Sequence, residues 1–264
     1  MTDIEHRIAR IRRLFTRLRE LGWHEAGTTA PLDESAVEAF ESRNGLRLPE
    51  GYRRYLLEFG DVDTGLMALA MGGMALAEQD VVDPFWQCNT RPFRLTRAWA
   101  GTTADLQEAR DEMGIDAEDL DPDDFYDIDG RPRDGVLYLG GTRSQLYAWL
   151  VLNGPFEGQV WVDSLAYAPH GWFAPAVDMM QEFVPYRWWH QLRDEPWFPA
   201  VEEFTDSPDF LDLTGDCLAQ IVLRADVHRA LDPDTIRAVD QRLQSSDSYD
   251  FRDLMHTAKL ARQQ

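Results

Sequence analysis

The sequence predicts an α+β protein: a mixed or antiparallel central sheet with flanking helices, extended at its C-terminus by further helices. Three observations carry this. Apolar residues recur at helical spacing through the first 60 positions. Branched and aromatic residues then cluster in three short runs between positions 135 and 164, separated by turn residues. After Pro199 the apolar spacing is helical again.

The first helix is read from Ile4, Ile8, Ile11, Leu14, Phe15, Leu18 and Leu21, which form one stripe, with Thr2 and Glu5 in a capping-box pattern. Its arginines are expected on the exposed side. A second helix places Val37 and Phe40 inward and stops at Gly45. Pro49 opens a third, because a proline in the first turn sacrifices no needed N–H. Tyr52, Tyr55, Leu56 and Phe59 share its inner side, and Arg53 and Arg54 are expected to face solvent. Short strands are expected between residues 65 and 99, a helix over 103–113, and a loop over the acid-rich segment 111–130. The strongest strand signals are "GVLYLGG", "QLYAWLVL" and "GQVWVDS", an antiparallel meander over 135–141, 145–152 and 158–164. Helices are expected over 172–184 and 186–193, with Pro185 between them, and then over 216–231, 233–244 and 250–262. Leu218, Ile221, Val222 and Ala225, then Ile236, Val239 and Leu243, are spaced so that they need a cover. The expected division is a main domain over 1–200 and a helical appendage over 201–264 docked on it.

The chain has 264 residues, 47 acidic and 26 basic, for a formal charge of -21. Six arginines lie in its first 20 positions, so the acid excess belongs to the remainder. Such a field repels nucleic acid and anionic membrane and attracts basic partners. Two cysteines, Cys88 and Cys217, form no framework, which suits a reducing compartment. The start of the sequence has no signal-peptide apolar core, and the uncharged run over 65–77 is too short and glycine-rich to span a bilayer. The expected location is the cytoplasm.

Catalytic patterns do not emerge. Aligning Gly130 with the sixth position of an EF-hand loop puts Asp127 and Asp129 correctly, but Phe125 and Val136 then occupy positions that need oxygen ligands. The six histidines lack zinc-ligand spacing, neither Ser144 nor Ser164 lies in a nucleophile elbow, and "LGGTRS" lacks the lysine of a phosphate loop. No enzyme activity, metal or cofactor is therefore expected. "PYRWWHQLRDEPWF" is distinctive in that Trp188, Trp189 and Trp197 cannot all share one helix face. Core packing is the favoured reading there, with a partner surface as the alternative.

The segment "PLDESAVEAFESRNGLRLPEGYRRYLLEFG" resembles the signature of the SUKH superfamily. Phe40-Glu41, Gly45, Leu48-Pro49, Tyr52-Arg53 and Leu56-Leu57 match that pattern in order. "GVLYLGGTRSQLYAWLVLNGPFEGQVWVDS" is similar to the family's central sheet, and "WFAPAVDMMQEFV" to the helix that follows it. The likeness spans roughly residues 31–192. It departs at Phe59-Gly60-Asp61, where members usually carry Asn-Gly-Gly. The resemblance implies a scaffold without a catalytic centre. Bacterial members are mostly immunity proteins that bind and neutralise polymorphic toxins, commonly nucleases or deaminases; fungal relatives regulate cell-wall synthesis through protein contacts. The expected function is thus toxin neutralisation, with a regulatory or scaffolding module as the alternative. Asp119, Asp121, Asp123, Asp124, Asp127 and Asp129 are the expected contacts to a toxin's basic cleft, and Trp188 and Trp189 the next candidates.

Overall fold

Thr2 starts the first helix as the capping pattern requires. In a computed structural model that describes residues 2–22, 30–60, 71–73, 90–98, 134–142, 147–163, 173–176, 207, 209–230 and 234, α1 spans Asp3–Glu20. The Thr2 hydroxyl accepts from Glu5 N–H and the Glu5 carboxylate accepts from Thr2 N–H at 2.8 Å, which satisfies two orphan donors reciprocally. Ile8, Ile11, Phe15 and Leu18 are buried along one side. α2 (Glu34–Asn44) buries Val37 and Phe40 and ends at Gly45, whose φ of 62° is the left-handed cap conformation. α3 (Glu50–Phe59) follows Pro49 and buries Tyr52, Tyr55, Leu56 and Phe59.

The link between α2 and α3 gives the residues of the Phe40 to Leu57 pattern their packing and capping roles. The Glu41 carboxylate accepts from Leu48 N–H at 2.8 Å and lies 3.5 Å from Arg53 Nε. Arg53 also pairs with Glu34. Arg53 was expected at the solvent side; it is instead held between two helices, its pKa raised first by the hydrogen bond to Glu34. Phe40-Glu41, Leu48-Pro49 and Tyr52-Arg53 thus form a folding unit in which each member has a packing or capping partner.

The five strands β1 (Met71–Gly73), β2 (Val136–Thr142), β3 (Tyr147–Val151), β4 (Val160–Asp163) and β5 (Phe173–Pro175) pair antiparallel in chain order, β1-β2-β3-β4-β5. Alternation along the strands separates two faces. Leu137, Leu139, Ala148, Leu150, Val160 and Val162 join the core formed by the helices. Val136, Tyr138, Trp149, Val151, Trp161 and Phe173 form a second cluster on the other face, with Phe93 packed into it. The register sets Tyr138 opposite Trp149 and Trp149 opposite Trp161, an aromatic row across three strands. The register shifts at a bulge between Tyr138 and Gly140, and Leu139 lies with Leu137 in the helical core.

α4 (Phe210–Ala230) closes this core. Asp209 caps it, accepting at its side chain from Leu211 N–H at 2.9 Å and at its carbonyl from Leu213 N–H. Phe210 meets Tyr52 and Tyr55 edge-on, with ring centroids 4.8 and 5.2 Å away. Leu211, Leu213, Cys217 and Leu218 belong to the same buried cluster as α1, α3 and the sheet.

The expected meander is present, and the structure is α+β. Two boundaries differ. α4 begins at Phe210, not near residue 216, because the Asp209 cap and Phe210 packing outweigh the mid-helix Gly215. The helix expected from residue 172 gives way at its start to β5, which pairs with β4 and directs Phe173 into the aromatic cluster. The expectations for 103–113, 111–130 and 186–193, and for the last two helices apart from Asp234, lie outside the described residues.

Gly135 has a φ of 70°, and a Cβ there would lie 2.6 Å from both the Arg91 oxygen and the Phe93 nitrogen. Gly135→Ala is expected to cost about 3 kcal/mol through this backbone clash plus left-handed strain. Gly45→Ala, with open space around its Cβ, should cost only about 1 kcal/mol. Urea unfolding midpoints at constant m-value check the contrast, and equal losses would refute it.

Candidate functional site

Two polar assemblies stand out among the described residues, one between α1 and α4 and one at the end of β2. The α1 arginines are expected on an exposed face, and Arg12, Arg13, Arg17 and Arg19 are exposed, but Arg7, Arg10 and Arg17 also meet α4 or its cap. Arg7 Nη1 lies 2.8 Å from Asp209 and 3.5 Å from Asp212, Arg10 Nη1 lies 2.8 Å from Asp216, and Arg17 Nη2 lies 2.6 Å from Asp226. Arg229 closes the series by donating to the Glu20 carbonyl at 3.2 Å. The pairs advance together along both helices, so α1 and α4 run in the same direction. Aligned helix dipoles repel side by side, and this seam of opposite charges offsets that repulsion. Gly215 makes room for it: a Cβ there would sit 3.1 Å from Arg10 Nη1.

Burial differs along the seam, and so do its consequences. Asp216 is 4% exposed beside Arg10, which makes its pairing a structural requirement. Burial pushes the Asp212 carboxyl above the usual range, against the Ser207 hydrogen bond and the charge of Arg7, while Asp209 and Asp216 push the same way. The hydrogen bond from Arg7 holds the exposed Asp3 carboxyl below its usual value. Arg17 is raised, first by its hydrogen bond to Asp226.

At the other assembly, Asn153 clamps the irregular segment 90–98 over the aromatic face. Its Oδ1 accepts from Phe93 N–H at 2.8 Å and its Nδ2 donates to the Arg91 carbonyl at 3.1 Å. Leu152 N–H bonds the Gly135 carbonyl at 2.8 Å, and the buried Asp134 lies 3.8 Å from Arg91 Nη1. The clamp seats Phe93 edge-on to Trp161, centroids 5.1 Å apart. Below it Tyr138 packs on Trp149, and burial pushes its hydroxyl up to about 12. This tyrosine is therefore a neutral packing residue throughout the ordinary pH range.

Asp119, Asp121, Asp123, Asp124, Asp127, Asp129, Trp188 and Trp189 lie outside the described residues. The described residues contain 17 acidic and 15 basic side chains, leaving 30 acidic and 11 basic in the rest of the sequence. Among the described residues no group of three or more His, Cys, Asp or Glu is arranged to hold a metal ion, and no helix is long and apolar enough to cross a membrane. Cys217 is buried in the core. Sequence reasoning missed both polar assemblies. For the clamp a partial signal exists in Asn153-Gly154-Pro155, which reads as a turn without revealing that the asparagine reaches back to residues 91 and 93.

No protein-family model matches the sequence, and searches of curated proteins and of solved structures return no match.

The raised Asp212 sets a sign for pH dependence. Because its folded pKa exceeds the unfolded value, the folded state binds the proton more readily and stability falls as pH rises through that interval. Above the folded pKa the cost is fully present. Asp212→Asn should therefore raise the urea midpoint at neutral pH, and the gain should vanish at about pH 3, where both carboxyls are protonated. A variant less stable than wild type at neutral pH would show that the Arg7 contact outweighs the burial.

Proposed function

We propose that this chain is a non-catalytic, SUKH-type immunity protein that binds and neutralises a cognate toxin of nuclease- or deaminase-like chemistry. The observation that carries the reading is the partition of charge. The described residues are nearly neutral, with Arg7, Arg10 and Arg17 of α1 paired to acids of α4 and its cap, so the acid excess lies in the rest of the sequence. That excess is dense between residues 111 and 130. A stoichiometric inhibitor of a nucleic-acid enzyme needs such a surface, since it must occupy a cleft built for phosphate.

The SUKH-like signature supports the same reading in a different way. Its residues join α2, α3 and α4 into one packed unit, the kind of stable frame on which variable contact residues can be carried. Asp119, Asp121, Asp123, Asp124, Asp127 and Asp129 are assigned to the toxin contact, with Trp188 and Trp189 beside it or as its apolar anchor.

The test is co-expression with the protein encoded immediately upstream, scored by survival and by co-purification of a complex. Replacing Asp121, Asp123 and Asp124 with Asn should leave the melting temperature nearly unchanged. It should slow association with the toxin about tenfold at low salt, and wild-type association should itself slow as salt rises. Unchanged association by a folded triple variant would remove the acidic segment from the contact. A neighbour that neither kills nor binds would count against the immunity reading itself.

A further inference from the structure

Two Asn-Gly steps occur in the sequence, Asn44-Gly45 and Asn153-Gly154. A glycine after asparagine leaves the backbone nitrogen unobstructed by a Cβ, so that nitrogen can reach the asparagine side-chain carbon. The fold treats the two steps differently. Asn44 ends α2, donates from Nδ2 to the Phe40 carbonyl at 3.0 Å, and is followed by a glycine whose N–H is engaged by the Glu41 and Ser42 carbonyls. Asn153 lies in the turn between β3 and β4, and both ends of its amide hold another segment, at Phe93 N–H and the Arg91 carbonyl. Gly154 beside it is exposed.

We propose that Asn153-Gly154 is a site of spontaneous covalent modification, suppressed by the clamp and able to release segment 90–98 once it reacts. The Gly154 nitrogen attacks Asn153 Cγ, a new N–Cγ bond forms, and the Cγ–Nδ2 bond breaks. The proton from Gly154 leaves with Nδ2 as ammonia. Water then opens the resulting cyclic imide at either carbonyl, giving aspartate or isoaspartate, and nothing is oxidised or reduced. The native amide is unsuited to this attack while its oxygen and nitrogen are both held, so the reaction proceeds from the clamp-open state. The product cannot restore the clamp. An aspartate has no N–H to give the Arg91 carbonyl and sets a charged oxygen against it, while an isoaspartate lengthens the backbone inside a tight turn. Phe93, seated against Trp161 and Phe173, is the side chain that loses its anchor. Conversion at Asn44 has no such reach, because its amide bonds only its own helix.

The full chain is incubated in mildly alkaline buffer and, in parallel, in concentrated urea, then digested and read by mass spectrometry for a gain of about 1 Da at each asparagine. In urea both steps should convert at similar rates. In buffer, conversion at Asn153 should be slower by about tenfold or more, the protection that a local opening equilibrium imposes. Molecules converted at Asn153 should lose slow hydrogen exchange at the Phe93 amide. Asn153→Asp should show the same loss, and Asn44→Asp should keep that amide protected. Equal rates at Asn153 in buffer and urea, absence of conversion in urea, or a folded Asn153→Asp protein with Phe93 still protected would each overturn the proposal.

Discussion

Burial on both faces of the sheet is the constraint on which the rest of this structure depends. A small antiparallel sheet usually leaves one face to water. Here Leu137, Leu150 and Val160 on one side and Val136, Trp149 and Trp161 on the other are all essentially inaccessible. Each face then needs its own cover. The aliphatic face is packed with α1, α3 and α4, and Phe210 completes that layer by wedging against Tyr52 and Tyr55. The aromatic face receives segment 90–98, and since that segment forms no strand, its attachment falls to Phe93 packing and to the Asn153 clamp. Truncating a buried aromatic such as Phe210 would forfeit about 3–5 kcal/mol, a large share of what a domain has to lose.

Electrostatics follows from that packing. Bringing α1 and α4 together in parallel places Arg7, Arg10 and Arg17 of one helix beside acids of the other and of its cap. The exposed pairs, such as Arg17 with Asp226, contribute little individually. Arg10 with the buried Asp216 is different, since either group alone would be left charged and poorly solvated. The seam therefore sets how α1 seats on α4 more than how strongly it is held. It also neutralises part of the basic stretch, at Arg7, Arg10 and Arg17, while Arg12, Arg13, Arg17 and Arg19 remain exposed. The proposed function rests on the acid excess of the rest of the sequence, 30 acidic against 11 basic residues.

Local signals made much of the fold legible. Thr2 and Glu5 cap α1 as their spacing requires, Gly45 stops α2, and β2, β3 and β4 fall within one or two residues of the expected runs. The failures share a physical cause, because each depends on partners far away in sequence. Arg7 and Arg10 look solvent-facing until Asp209 and Asp216, some 200 positions on, fold against them. Gly215 looks like a helix breaker, although its missing side chain is what admits Arg10. Phe173 reads as helical until β4 offers it a ladder. Of the candidate site, nothing in the sequence fixes which face a partner takes, since an acidic run and a tryptophan pair are recognisable by composition and not by placement.

The central claim is that α1, α3, α4 and the sheet form one cooperative frame, with recognition carried by what is mounted on it. Native-state hydrogen exchange along α4 and β3 tests this most directly. Amides of Leu213, Cys217 and Leu218 should exchange with the same opening free energy as those of Trp149 and Leu150, and the two sets should weaken together in denaturant. An α4 that opens at markedly lower free energy while β3 stays protected would contradict the account and make α4 a separable attachment.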